Sequence, residues 1–120
     1  MCHDDVSVYG MEIRTEEQQR AGTVKCIARE DGQDVGRAFL YVLYNDLHTE
    51  PFGLLEDAFV EEAFRGRGIG TALIQHVIAE AKARGCYKLI GQSRYGRDAV
   101  HAMYEGLGFK NHGYNFRMDF

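Results

Sequence analysis

The order of apolar periods along the chain predicts an α/β (α+β) fold, one domain over residues 1–120 in which a mixed central β-sheet is flanked by helices. Three observations predict it. Alternating stretches occupy the first half of the chain, and helical and alternating stretches then take turns in the second. The length of 120 residues, with 45% hydrophobic content, has room for one compact core.

Taken in order, Val6 to Ile13 alternate weakly and suit a first strand. Thr15-Glu16-Glu17-Gln18 has the spacing of a capping box, so a turn or two of helix is expected, with too few apolar residues after it to seat a long one. Gly22 to Arg29 sets Val24, Cys26 and Ala28 on one face and Thr23, Lys25 and Ile27 on the other, which reads as a strand closed by an Asp31-Gly32 hairpin turn. The return strand, Val35 to Tyr44, is apolar on both faces, as a central strand covered on both sides would be. Asn45 to Pro51 is a loop, and Phe52 to Glu61 is a further strand that runs into a glycine-rich turn.

From Gly68 to Arg84 the period becomes helical, with Ile69, Ala72, Leu73, His76, Val77, Glu80 and Ala81 along one stripe and Gly85 where a helix cap belongs. Tyr87 to Gln92 reads as a short strand and Asp98 to Gly106 as a second helix carrying Val100, His101, Met103 and Tyr104. The tail alternates strictly, with Tyr114, Phe116, Met118 and Phe120 against Asn115, Arg117 and Asp119, so a last strand is expected from Tyr114 to Phe120. At a sheet edge such a strand could pair with a second copy and give a homodimer.

Composition narrows the function classes. A net charge of -4 and a pI of about 5.7 argue against a nucleic-acid partner, which needs a basic face to displace counterions from phosphates. No stretch approaches the roughly 20 apolar residues of a membrane span, and the start is polar and acidic where a signal peptide would be basic and then apolar, so a cytoplasmic protein without a membrane partner is expected. Cys2, Cys26 and Cys86 are odd in number and widely spaced, which suits reduced thiols, two of them buried. The five histidines are scattered, and no metal is expected. What stands out is 14 glycines against one proline.

Those glycines concentrate at Arg65-Gly66-Arg67-Gly68-Ile69-Gly70-Thr71, between a strand and the start of the most regular helix. Glycine lets the backbone approach a ligand, the first N–H groups of a helix lack intrahelical partners, and the helix dipole adds positive charge. Such a turn binds phosphate, although a plain strand-to-helix turn with solvated arginines would look similar. It is not a P-loop, because Thr71 follows Gly70 with no lysine between. Nor is it a dinucleotide fingerprint, since position 71 is not glycine and the following strand ends in Gln92-Ser93 rather than an acid.

Arg65-x-x-Gly68-x-Gly70 resembles the pyrophosphate-binding motif of the GNAT superfamily of N-acyltransferases. Leu55-Glu56-Asp57-Ala58-Phe59-Val60 upstream is similar to the family's fourth strand. Downstream, Arg97 to Phe109 is similar to its last helix with the Tyr-x-x-x-Gly-Phe ending, carried by Tyr104, Gly108 and Phe109. The resemblance covers Val35 to Phe120 well and Met1 to Glu30 only in outline. The helices that family members carry between their first two strands have little room here, about Thr15 to Ala21, so the acceptor side is expected to be open, completed by a second subunit, or suited to a protein side chain or terminus.

The resemblance implies that the fourth and fifth strands splay apart and that acetyl-CoA enters between them as cosubstrate. Arg65, Gly66, Arg67, Gly68, Gly70 and Thr71 would hold its pyrophosphate, and Phe59, Val60 and Glu61 would bond the pantetheine arm as an added strand does. The implied reaction is N-acetylation of a primary amine, small or on a peptide, by direct attack on the thioester through a tetrahedral oxyanion. Tyr104 falls on the position of the acid that protonates the leaving thiolate, unless it is a core tyrosine of the buried helix face. Glu56 is the candidate base because it shares a strand face with Ala58 and Val60; Asp57 points the other way if the strand is regular, and a bulge would reverse this. Tyr41 and Tyr44 either line the acceptor side or pack. Two other readings stand beside this one: a coenzyme A-binding module or sensor without catalysis, and a structural domain with an incidental glycine turn.

Overall fold

A computed structural model of the chain describes residues 6–8, 11–14, 17 and 21–120, with the backbone alone at 6–8 and 11–13. The first expected strand is two short ones, β1 (Val6–Val8) and β2 (Met11–Ile13), paired antiparallel as a separate sheet. The expected helix at residues 15–18 falls outside the described residues except for Glu17, which is in neither helix nor strand.

The main sheet has the order β3-β4-β5-β6, from β3 (Ala21–Glu30), β4 (Gln33–Leu43), β5 (Phe52–Val60) and β6 (Leu89–Gly91). The first two pairings are antiparallel and the last is parallel. A parallel neighbour needs a crossover, and α1 (Ile69–Ala83) lies within it. A single turn of 3-10 helix (Glu62–Phe64) joins β5 to the glycine turn, and α2 (Asp98–Gly106) follows β6.

The core is the seam between one sheet face and α1. Ala38, Leu40 and Val42 of β4, Cys26 of β3 and Leu55 of β5 pack with Leu73, Ile74, Val77 and Ala81. Each large apolar side chain withdrawn from water there contributes about 1.5–3 kcal/mol. The buried stripe of α1 is rotated from the expected one: Ile74 is inside, whereas Ala72 and His76 are exposed. His76 instead faces Glu80 one turn on, at 3.7 Å. The other face of β4 is half-buried, with Phe39 and Tyr41 stacked at 6.4 Å between centroids and Lys25 5.7 Å above Phe39.

Both helices end by the same device. The Cys86 N–H donates to the Ala81 carbonyl and the Gly85 N–H to that of Lys82, each at 3.0 Å. After α2, Phe109 donates to Tyr104 and Gly108 to Glu105, also at 3.0 Å. These are Schellman closures, in which a glycine turns the chain back and its successor packs on the last turn. The Phe109 ring accordingly lies 5.2 Å from that of Tyr104. The expected strand from Tyr114 to Phe120 does not form. Residues 109–120 are in neither helix nor strand, and Tyr114, Phe116, Met118 and Phe120 are exposed. Alternation makes a strand only where a partner supplies hydrogen bonds and a surface to bury the apolar row, and among the described residues none does.

Candidate active site

The site begins where β5 and β6 part. Their ladder runs Gly53 to Leu89, Leu54 to Ile90 and Leu55 to Gly91, and then stops. Beyond it lies a cleft of about 340 Å³. Residues 55–60 form one wall, Gln92, Ser93, Arg94 and Arg97 the other, and α1 and α2 contribute Gly70, Leu73, Val100, Met103 and Tyr104. The splay expected between these strands is present.

The cause on the β5 side is a bulge. Phe39 pairs with Glu56 and Arg37 with Phe59, so β5 spends one more residue than β4 over the same span. Asp57 takes up the kink at φ 53°, a left-handed backbone that aspartate tolerates better than most residues. The bulge overturns the face argument for Glu56. Directly opposed residues of antiparallel strands share a side, so Glu56 lies with Phe39 and Phe59, while Val60, opposite Gly36, packs on the core with Leu55. Glu56, Asp57 and Ala58 nonetheless all line the cleft.

Two residues before Gly70 of the cleft lining, Gly68 caps α1 with φ 81° and ψ 8°, a conformation that disfavours any side chain, and no side chain caps the helix. The first helical N–H to bond back is that of Ala72, to the Gly68 carbonyl at 3.0 Å. The N–H groups of Ile69, Gly70 and Thr71 precede that ladder and are free for an anion. A methyl added at Gly66 or Gly68 would meet nothing within 4 Å, so the space in front of the turn is open. The arginines are held back from it. Arg65 Nε donates to the Val60 carbonyl at 2.9 Å, and its guanidinium and that of Arg37 lie 5.3 and 4.7 Å from the centroid of Phe59. Arg67 reaches Glu30 at 3.4 Å and covers the Phe64 ring at 5.1 Å. Main chain therefore presents the donors, with side-chain charge around them. Glu61 donates its N–H to the Val35 carbonyl at 2.8 Å, which continues the sheet to the edge of the turn.

Tyr104 is half-buried beside Gly91 and Phe109. Burial raises its phenol above the ordinary tyrosine value, Arg97 opposes that rise and Glu56 adds to it, so the hydroxyl holds its proton at neutral pH. Tyr104 packs against the core and also lines the cleft, so its packing does not remove it from the site. His101, one turn earlier, fixes the wall opposite β5: its Nε2 lies 3.0 Å from the Arg94 carbonyl and 3.1 Å from Ser93 Oγ. A carbonyl only accepts, so Nε2 carries the proton. Of the thiols, Cys26 is buried and Cys86 half-buried, both free. Among the described residues no three potential ligands cluster as a metal site, and no helix is long and apolar enough to cross a membrane.

Residues 3–109 match the model of the acetyltransferase (GNAT) family. The chain belongs to that family. Among GNAT relatives, it is 37% identical over 67 residues to a glucosamine 6-phosphate N-acetyltransferase of Trypanosoma brucei brucei, covering 56% of this chain and 44% of the relative. It is 29% identical over 111 residues to an aminoglycoside N(6')-acetyltransferase type 1 of Acinetobacter genomosp. 13, covering 89% and 74%. This chain thus spans less than half of the first relative and about three-quarters of the second. A solved GNAT-like structure, a putative acetyltransferase from Agrobacterium tumefaciens str. C58, superposes with a TM-score of 0.76 at 32% identity over 82% of this chain and 69% of that one. The four-strand mixed sheet flanked by helices is shared with such neighbours. Sequence reasoning missed Gln92, Ser93, Arg94 and Arg97 as cleft residues, because they follow a three-residue strand and only the closure of β6 on β5 brings them opposite residues 55–60.

Proposed function

We propose that the chain is an acetyl-CoA-dependent N-acetyltransferase acting on a primary amine. The observation that carries the reading is a cleft lined both by Gly70, at the start of α1 where the helix N–H groups are free, and by Tyr104. The residues fit the cosubstrate. The N–H groups of Gly68, Gly70 and Thr71, with Arg67 at the edge, would hold the pyrophosphate, and Phe59 and Val60 of β5 with Glu61 just beyond it would bond the pantetheine arm. When bound, the group supplies an acetyl thioester. Tyr104 gives its proton to the sulfur as the C–S bond breaks, and Glu56 takes a proton from the attacking ammonium directly or through water. Asp57, on the same wall, is the comparison.

Both relatives are named for amino-sugar acceptors, so glucosamine 6-phosphate and an aminoglycoside head the panel of amines to test, followed by lysine and peptide N-termini. The assay is amine-dependent release of the coenzyme A thiol. Release that saturates with one amine supports the reading. Binding of acetyl-CoA with no release across the panel favours a coenzyme A sensor instead. A homodimer belongs to the same proposal, its support being the exposed apolar row of the C-terminal segment.

A further inference from the structure

Arg97 and Tyr104 stand two turns apart on one face of α2, at positions i and i+7, and both line the cleft. Among the described residues no side chain pairs with the Arg97 guanidinium, in contrast to Arg65, Arg67 and Arg84, each of which holds an acceptor. The charged groups around the tyrosine can be named from each element. The β5 wall brings Glu56 and Asp57, the segment after β6 brings Arg94, and α2 itself brings Arg97, His101 and Glu105. The residues of α1 that line the cleft, Gly70, Leu73 and Ile74, carry no charge. The Arg94 guanidinium also has no side-chain partner among the described residues, but of the two arginines it is Arg97 whose charge acts on the Tyr104 phenol.

A phenol that gives up its proton becomes an anion in a half-buried place, where an uncompensated charge is costly. We propose that Arg97 is a positioning residue for the acid: its unpaired guanidinium faces the tyrosinate that forms on Tyr104 as the thiolate leaves, and Glu56 across the cleft limits that stabilisation. The inference rests on reading Tyr104 as the acid. In the step, the Tyr104 O–H bond breaks and an S–H bond forms. Of the two protons the ammonium nitrogen loses in becoming an amide, one replaces the tyrosine's and the other goes to solvent, so charge and protons balance. Burial and Glu56 keep the phenol protonated before the reaction, and Arg97 keeps it from being too weak an acid once the sulfur needs the proton.

The test is the titration of Tyr104 in the whole chain, followed by NMR with ring-labelled tyrosine and assigned by loss of its signal in Tyr104→Phe. Arg97→Gln is expected to move that titration to higher pH, Arg97→Lys to leave it near the wild-type position, and Glu56→Gln to move it lower. The alkaline limb of thiol release should move with it in Arg97→Gln. An unmoved Tyr104 titration in Arg97→Gln overturns the inference, and so does weakened acetyl-CoA binding without a titration shift, which would make Arg97 a cosubstrate ligand. Full thiol release by Tyr104→Phe would instead remove the acid assignment itself, a different failure read from a different variant.

Discussion

Replacing Gly68 by alanine separates the anion turn's role in binding from its role in folding. Gly68 sits at φ 81° with nothing within 4 Å of the position a methyl would take. The folded chain therefore pays for the backbone alone, about 1–2 kcal/mol for an L-residue held left-handed, or roughly 4–8 °C in a domain of this size. Gly85 is the matched control: its φ is 79°, a methyl there also meets nothing within 4 Å, and it caps the far end of α1, away from the cleft. Gly68→Ala and Gly85→Ala should lose similar stability. Only the first should lose ligand response, because its methyl stands in the open space in front of the free N–H groups. Saturating acetyl-CoA at 100 times its dissociation constant should add about 2.7 kcal/mol to the wild type and to Gly85→Ala. A tenfold loss of affinity in Gly68→Ala would remove about 1.4 kcal/mol of that. Thermal unfolding with and without acetyl-CoA reads both quantities. Equal ligand stabilisation in the two variants would refute the assignment of the turn.

Three further outcomes follow from the packing and the site. Leu40, fully buried between β4 and α1, should cost about 2–5 kcal/mol as Leu40→Ala in denaturant unfolding, and a loss under about 1 kcal/mol would contradict the core described. The folded Tyr104 phenol ionises above the unfolded value of 10.0, so its contribution is complete below that pH and is lost as pH rises through the folded value, when the unfolded chain has already given up its proton. The wild type should therefore lose stability above about pH 10 more steeply than Tyr104→Phe, and parallel curves would contradict this. Light scattering should find a dimer for the whole chain and a monomer when residues 114–120 are removed, and a monodisperse monomer of the whole chain would dispose of the pairing.

Much of this was legible in the sequence where local chemistry decides the outcome. The Asp31-Gly32 turn, the α1 span and its Gly85 cap, and the Tyr104 to Phe109 ending each depend on residues within a turn or two of one another, and the Schellman bonds explain why Gly108-Phe109 closes α2. The register of β5 was not legible. Its bulge is set by pairing with β4, and Asp57 in a left-handed conformation leaves only a faint trace in sequence, as an aspartate where a regular strand would hold a β-former. The tail misled for a related reason: its period is perfect, but a strand needs a second backbone segment to pair with, and none among the described residues supplies it. Arg97 was hidden because, although its spacing from Tyr104 on α2 is local, the cleft that both residues line exists only after β6 closes on β5.

The most direct test of the account is a crystal structure of the chain with acetyl-CoA. The prediction is a pyrophosphate within hydrogen-bonding reach, about 2.7–3.2 Å, of the N–H groups of Gly68, Gly70 and Thr71, the pantetheine arm between β5 and β6, and the sulfur beside the Tyr104 hydroxyl. A cosubstrate bound elsewhere, or one in the cleft with its sulfur far from Tyr104, would contradict it.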